Sequence, residues 1–186
     1  MNHPSYFRSP VALLRDCAAV LIPEGSTVTL DAGTEVYITQ ALGGAVTVNV
    51  NGNLARIASH DVDALGMEPT ALPAEGARAN TDGSVDESLI WEQLATCYDP
   101  EIPINIVELG LIYRCEVKAD ASGNRVEIDM TLTAPGCGMG PFLIEDVRAK
   151  VAQVPNVGEV DVELVFDPPW SQDMMSDAAR LETGLY

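Results

Sequence analysis

Apolar and polar positions alternate along the first third of the chain. Ser26-Thr27-Val28-Thr29-Leu30, Glu35-Val36-Tyr37-Ile38-Thr39 and Ala45-Val46-Thr47-Val48-Asn49-Val50 repeat every second residue, the period of a half-buried strand. Gly25, Gly33, Gly43-Gly44 and Asn51-Gly52 separate them, and Asn-Gly is a strong two-residue hairpin signal. Residues 17–58 are therefore expected to form short strands, Cys17 starting the first. They belong to a small all-β unit over residues 1–66, a meander or partial barrel. About sixty residues bury a modest share of their surface, so this unit is expected to lean on a second domain or another subunit. Residues 67–83 hold Pro69, Pro73, Gly76 and Gly83 and keep no period; they read as a linker.

From residue 84 onward the pattern changes. Ser84-Val85-Asp86-Glu87 fits a capping box, and Ile90, Trp91, Leu94, Cys97 and Tyr98 fall on one helical face. Asp99-Pro100 is expected to stop that helix, because proline disfavours helical geometry in the residue before it. Leu111, Tyr113, Cys115 and Val117 then alternate on a strand, and Asp120 to Asn124 make a turn. Val126, Ile128, Met130 and Leu132 line one side of the next strand, with Glu127, Asp129, Thr131 and Thr133 on the other. A glycine loop leads into a helix from about Pro141, with Ile144, Val147, Val151 and Val154 inward. Val160, Val162, Leu164 and Phe166 mark a last strand, and Ser176 suits the cap of a short terminal helix. The fold class expected is α+β: a small all-β N-terminal unit, then an α-β-β-α-β domain over residues 84–186 with a mixed three-stranded sheet. Its first two strands form an antiparallel hairpin, and its strand–helix–strand step is a right-handed parallel crossover.

Composition narrows the function. Lys and Arg total 10 against 28 Asp and Glu, a formal charge of −18, so a phosphate backbone is repelled and nucleic-acid binding is not expected. No segment approaches the roughly 20 apolar residues that cross a bilayer, and Arg15 and Asp16 break the apolar run from Val11 to Ile22, so neither a membrane span nor a signal peptide is expected. The four cysteines, Cys17, Cys97, Cys115 and Cys137, show no C-x-x-C pair, which suits free thiols in a reducing cytoplasm.

The candidate chemistry centres on Cys137, in the loop Ala134-Pro135-Gly136-Cys137-Gly138-Met139-Gly140. Glycines let the backbone turn sharply and approach a ligand, and Pro141 suits the start of a helix. A thiol beside a helix N-terminus meets free N–H groups and a dipole that favour thiolate, the form that binds metal or attacks an electrophile. A buried, inert cysteine in a tight turn is the competing reading. Cys97 and Cys115 lie on apolar faces and read as core, and Cys17 as structural. His3, placed in the N-terminal tail, and His60, in an acidic loop, make neither a metal triad nor a catalytic triad.

The stretch Asp99-Pro100-Glu101-Ile102-Pro103-Ile104-Asn105-Ile106-Val107-Glu108-Leu109-Gly110-Leu111-Ile112-Tyr113 resembles the opening signature of a small domain shared by SufT-type iron–sulfur cluster assembly factors, PaaD-like proteins and eukaryotic cytosolic iron–sulfur targeting factors. Thr131-Leu132-Thr133-Ala134-Pro135-Gly136-Cys137 resembles that family's cysteine loop, and Phe166-Asp167-Pro168-Pro169-Trp170-Ser171 its closing motif. Together they cover residues 86–186. Gln40-Ala41-Leu42-Gly43-Gly44 and Asp61-Val62-Asp63-Ala64-Leu65-Gly66 look like the extra domain of SufT. Gly138 stands where many members have proline, and Phe166 where many have tryptophan.

The resemblance implies an accessory, non-enzymatic factor that matures iron–sulfur clusters or delivers them to apo-proteins, with Cys137 as the functional thiol or cluster ligand. Thr133, Pro135, Gly136, Gly138, Met139 and Gly140 would form the supporting loop. The implied partners are the iron–sulfur assembly machinery and its apo-protein clients. A cluster normally takes four thiolates, and one loop thiol is on offer. The cofactor expected is thus a transient cluster, not one held tightly by one chain. Two accounts stay open: a cluster bridged between two chains through Cys137 in a weak homodimer, or a thiol that docks on a partner's cluster site. A thiol enzyme or redox switch acting through Cys137, and a pure protein adaptor, are the alternative functions. Asp99, Glu101, Asn105, Asp167 and Trp170 are neighbouring candidates: hard ligands or a base from the first two, a loop hydrogen bond from Asn105, and a rigid aromatic wall or docking turn from Asp167 to Trp170. Their competing readings are solvated carboxylates after a helix and simple packing of the indole.

Overall fold

In a computed structural model, residues 9–184 are described; His3 lies outside them. The chain forms two compact units, residues 1–71 and 72–186.

The first unit is one six-stranded antiparallel sheet. Its strands are β1 (Val11–Ala12), β2 (Cys17–Ile22), β3 (Thr27–Leu30), β4 (Glu35–Leu42), β5 (Ala45–Val50) and β6 (Asn53–Ile57), in the order β1-β4-β5-β6-β2-β3. This is not a simple meander, because β2 pairs with β6 and not with its sequence successors alone. Asn51 (φ 51°) and Gly52 (φ 87°) join β5 to β6. Two successive positive φ values are the signature of the type I′ turn, whose twist matches that of the flanking strands. Val36, Val48, Ala55 and Ile57 are fully buried in this unit's core. A 3-10 helix over Ser59–Leu65 follows, and Arg15 reaches its Asp61 (2.8 Å) and Asp63 (2.5 Å).

The second unit holds helix α1 (Glu87–Leu94), strands β7 (Ile112–Asp120) and β8 (Gly123–Met130), helix α2 (Gly140–Val151), strand β9 (Val157–Leu164) and helix α3 (Asp177–Thr183). The sheet runs β7-β8-β9, antiparallel between β7 and β8 and parallel between β8 and β9. The mixed three-stranded sheet and the α and β content agree with the sequence expectation. Parallel strands cannot be joined by a tight turn, so α2 makes the crossover. Val126, Ile128 and Met130 face the helices and join Leu143, Val147 and Val151 in one core.

Four local details depart from the sequence pattern. The cap of α1 is Asp86 and not Ser84: its carboxylate accepts from the Ser88 amide at 3.0 Å. The helix ends at Leu94, before Asp99-Pro100 is reached, and Tyr98 instead bridges to Asn105. Trp91 is 41% exposed while Gln93 is fully buried, so the buried face is turned toward Ile90, Gln93 and Leu94. A bulge between Ile112 and Arg114 sets Ile112 opposite Met130 and Arg114 opposite Asp129. Tyr113 becomes the extra residue and leaves the apolar face, as bulged residues do.

Residues 72–83 have no regular secondary structure, yet Ala74 is buried in the second core. Asn156 donates to the carbonyls of Asn80 (3.1 Å) and Ser84 (2.7 Å), and Asn124 donates to that of Gly83 (2.8 Å). A fragment of residues 72–186 is therefore expected to unfold cooperatively. Cutting at residue 84 removes two of these bonds and should cost about 2 kcal/mol, lowering Tm by roughly 10 °C. Thermal melts of the two fragments by circular dichroism test this. Equal melting temperatures would show that residues 72–83 contribute nothing.

Candidate functional site

The chain leaves β8 at Met130 and enters α2 at Gly140, so the cysteine loop lies at the carboxyl end of the parallel pair. Open α/β sheets place ligands at such ends. Ala134 accepts a hydrogen bond from the Cys137 amide across Pro135 and Gly136 (3.4 Å). Proline at the second position and a glycine with φ 79° at the third are what a type II turn requires. A second turn follows at once, the Gly140 amide donating to the Cys137 carbonyl at 3.2 Å. Thr133 is half-buried, Pro135, Gly136 and Gly138 are exposed, and Met139 is 1% exposed. Met139 anchors the loop in the core. A Cβ on Gly140 would stand 3.0 Å from Leu132 Cδ1 and 3.5 Å from Leu164 Cδ1, so this glycine lets α2 start close against the ends of both strands. Cys137 is a free, half-buried thiol whose side chain rests on the edge of the core.

The other thiols stand elsewhere. Cys97 is fully buried, its Sγ 3.7 Å from the Gln93 carbonyl. Burial pushes the Cys115 thiol up to about 11, helped by the nearby Glu87 carboxylate. Cys17 lies buried in the first unit, and desolvation raises its pKa too. Among the described residues no group of three or more His, Cys, Asp or Glu side chains is placed to hold a metal ion.

The neighbouring candidates serve a second structure, the segment 99–113. Asp99 is 6% exposed, and its Oδ1 accepts from the amides of Glu101 (2.8 Å) and Ile102 (2.9 Å). It closes its own turn over Pro100, so it is not a solvated carboxylate; Glu101 is exposed. Asn105 Oδ1 accepts from the amides of Val107 (3.0 Å) and Glu108 (2.9 Å), capping the turn that ends at Leu109. The Leu109 carbonyl receives the indole N–H of Trp170 at 2.8 Å. Asn105 and Trp170 thus hold the two ends of one turn. Asp167 is exposed. No hydrogen bond joins Asp99, Glu101, Asn105, Asp167 or Trp170 to the cysteine loop among the described residues.

The periodicity did not reveal how firmly the C-terminal segment is strapped across residues 108–113. The Ser176 amide donates to the Glu108 carbonyl (2.9 Å), and the Ser176 hydroxyl donates to the Glu108 carboxylate. Tyr113 donates its hydroxyl to the Pro168 carbonyl at 2.8 Å. Gly110 (φ 71°) is the tightest point, since a Cβ there would sit 2.1 Å from the Met174 carbonyl oxygen. Gly110, Ile112, Tyr113, Pro168 and Met174 line an open groove of about 550 Å³. Thr131, expected on the polar face, is fully buried, and its hydroxyl has no hydrogen-bond partner among the described residues. β8 ends at Met130, one residue before Thr131, and alternation carries no information about what covers that end of the strand.

Two outcomes are expected. Cys137 should alkylate fastest of the four thiols at pH 8. Cys115, with its raised pKa, should gain reactivity only as pH climbs toward about 11 and thiolate forms. Mass spectrometry of iodoacetamide labelling against pH reads both, and faster labelling of Cys97 or Cys115 in the folded state would contradict the assignment. Gly110→Ala should destabilise the second unit by about 3 kcal/mol or more, through positive φ and the collision with Met174. Gly136→Ala, whose Cβ meets open space, should cost about 1 kcal/mol by φ alone. Urea unfolding of the two variants compares them.

The comparisons with known proteins agree on one group. Residues 87–162 match the family described as "Iron-sulfur cluster assembly protein". The Fe-S protein maturation auxiliary factor of Porphyromonas gingivalis is 51% identical over 98 residues, covering 53% of this chain and 90% of that protein. The Fe-S protein maturation auxiliary factor SufT of Staphylococcus aureus is 44% identical over 87 residues, covering 47% of this chain and 96% of that protein. An iron-sulfur cluster carrier protein of Deinococcus radiodurans is 37% identical over 70 residues, covering 38% of this chain and 19% of the carrier.

Proposed function

The chain belongs to the iron–sulfur cluster assembly protein family, and from that premise we propose that it is an accessory maturation factor, not an enzyme, which helps assemble clusters or pass them to apo-proteins in a reducing cytoplasm. The observation that carries this reading is the setting of Cys137. It is a free thiol at the edge of the core, in two consecutive turns at the carboxyl end of the parallel strands. The names borne by its relatives, auxiliary factors and a carrier, support the same reading.

Chemistry sets how a cluster is handled. Its iron atoms take four ligands in all, most often cysteine thiolates. Cys97 is fully buried, and Cys17 sits in the core of the other unit. Cys137 therefore supplies one thiolate to a cluster that is cargo, and the remaining ligands come from a second copy of the chain or from the protein it serves. Such a cluster is held weakly and passes on readily, as transfer demands. The supporting loop contributes position: Gly136 provides the turn, and Met139 and Gly140 seat the loop against the strand ends. A redox enzyme with a resolving thiol is the weaker reading, because burial of Cys97 and the raised pKa of Cys115 leave no ready second thiolate.

Anaerobic reconstitution with iron and sulfide, followed by visible absorption, light scattering and transfer to an apo-ferredoxin, tests the proposal. The wild type should colour weakly, gain mass by cluster-bridged association, and speed transfer. Cys137→Ser should lose all three while keeping its thermal melt. Colour retained in that variant, or a coloured monomer that delivers nothing, would overturn the assignment.

A further inference from the structure

The three-stranded sheet of the second unit ends on two strands, β7 and β9. An edge strand presents unpaired amides and carbonyls that another extended segment can pair with, and proteins blunt such edges with bulges, lysines or prolines. The β7 edge is blunted: it carries the bulge between Ile112 and Arg114, and the cations Arg114 and Lys118 stand on its outer face. The β9 edge is not. Its sequence Val-Gly-Glu-Val-Asp-Val-Glu-Leu has neither lysine nor proline. From Glu159 to Leu164 its register with β8 is unbroken.

The charges on the outer face of the sheet are distributed unevenly. Arg114 and Lys118 of β7 are spent on β8, holding Asp129 at 2.7 Å and Glu127 at 2.5 Å. Lys118 and Arg114 lower the pKa values of those carboxylates accordingly. On β9, Glu159 is paired with Arg125 at 2.7 Å. Asp161 and Glu163 are exposed, and no salt bridge reaches either among the described residues. The other face of β9 is apolar: Val160 and Val162 are 9% and 7% exposed where the core meets the edge. The strand thus offers an open backbone edge, with two exposed carboxylates outside any salt bridge on one side, Asp161 within the field of Arg125, and the rim of an apolar core on the other.

We infer that the free edge of β9 docks an extended segment of a partner protein whose side chains alternate basic and apolar, paired as an added strand. A second copy is a poor occupant, since a chain of net charge −18 repels itself and would set carboxylate beside carboxylate. Position gives the docking a purpose. Beyond Leu164, the Val165 amide donates to the Met130 carbonyl at 2.8 Å, and Leu164 flanks Gly140 at the end of the cysteine loop. Phe166, next along, is 45% exposed. A segment of about six residues spans roughly 20 Å and so runs to the end of the sheet where Cys137 stands. This docking rests on the delivery reading above, in which a client must be brought to that thiol.

The test uses the intact protein and a fluorescein-labelled peptide of about ten alternating Lys and Val residues, long enough to pair with the whole edge. Anisotropy is read at ~0.15 M salt, with hydrogen exchange to locate the contact. Binding should slow amide exchange in residues 159–164 and leave β7 unchanged. The same peptide N-methylated at alternate amides keeps its charge but cannot pair, and should bind roughly ten-fold more weakly or worse. D161K/E163K, with both changes at exposed positions, should weaken binding by a similar factor. Equal binding of the N-methylated peptide, protection on β7, or no binding of the parent peptide would overturn the inference. Cys137→Ser should bind the peptide as the wild type does, and loss of binding there would also overturn it. Loss of cluster transfer with peptide binding intact would instead sink the delivery reading alone.

Discussion

The parallel pairing of β8 with β9 is the constraint from which the rest of the second unit follows. A parallel pair needs a crossover, and here the crossover is α2. The chain must therefore leave β8, reverse, and start a helix packed on the same sheet. Nine residues separate Met130 from Gly140, and two consecutive hydrogen-bonded turns occupy the second half of that stretch. Pro135 and Gly136 suit the first turn. Gly140 suits the helix start, because a Cβ there would press on Leu132 Cδ1 at 3.0 Å and touch Leu164 Cδ1. Cys137 closes the first turn through its amide and the second through its carbonyl, and its side chain rests on the core edge, so its position follows from the sheet and the two turns together.

The second organising device is the strap of residues 165–184 over residues 108–113. Trp170, Tyr113, Ser176 and Glu108 tie these segments through polar contacts, and Gly110 permits the closest approach. Several motif residues thus have structural duties: Asp99 and Asn105 satisfy backbone amides of their own turns. Among the described residues neither side chain hydrogen-bonds to the cysteine loop.

The acidic surface has a pattern as well as a sum. Cations are scarce, and those on the sheet are concentrated on β7 and β8, where each is matched by a carboxylate. The excess negative charge falls on β9 and its surroundings. Surface pairs of this kind add little stability, so their consequence is directional: one edge of the sheet is neutralised and the other left acidic.

Much of this was legible in the sequence, for reasons that are local. The type I′ turn at Asn51-Gly52, the alternation of Val126, Ile128 and Met130, the Ser176 cap of α3 and the proline–glycine turn before Cys137 all depend on residues within a few positions of one another. Period and turn chemistry report that range directly. The family signatures also lie in short contiguous stretches, which is why the iron–sulfur connection could be read before any coordinates. What the sequence could not give depends on contacts distant along the chain. Pairing β2 with β6 closes a long loop that no local pattern records. Asp99 reads as a solvated helix stop until Ile104 folds back onto its amide. Thr131 has the period of an exposed residue and is buried, because alternation assigns a face and not its cover. Tyr113 changes face through a bulge that only the pairing with Met130 and Asp129 creates. The free acidic edge at β9 follows from strand order, which tertiary structure alone decides, because an edge is a strand that lacks a neighbour.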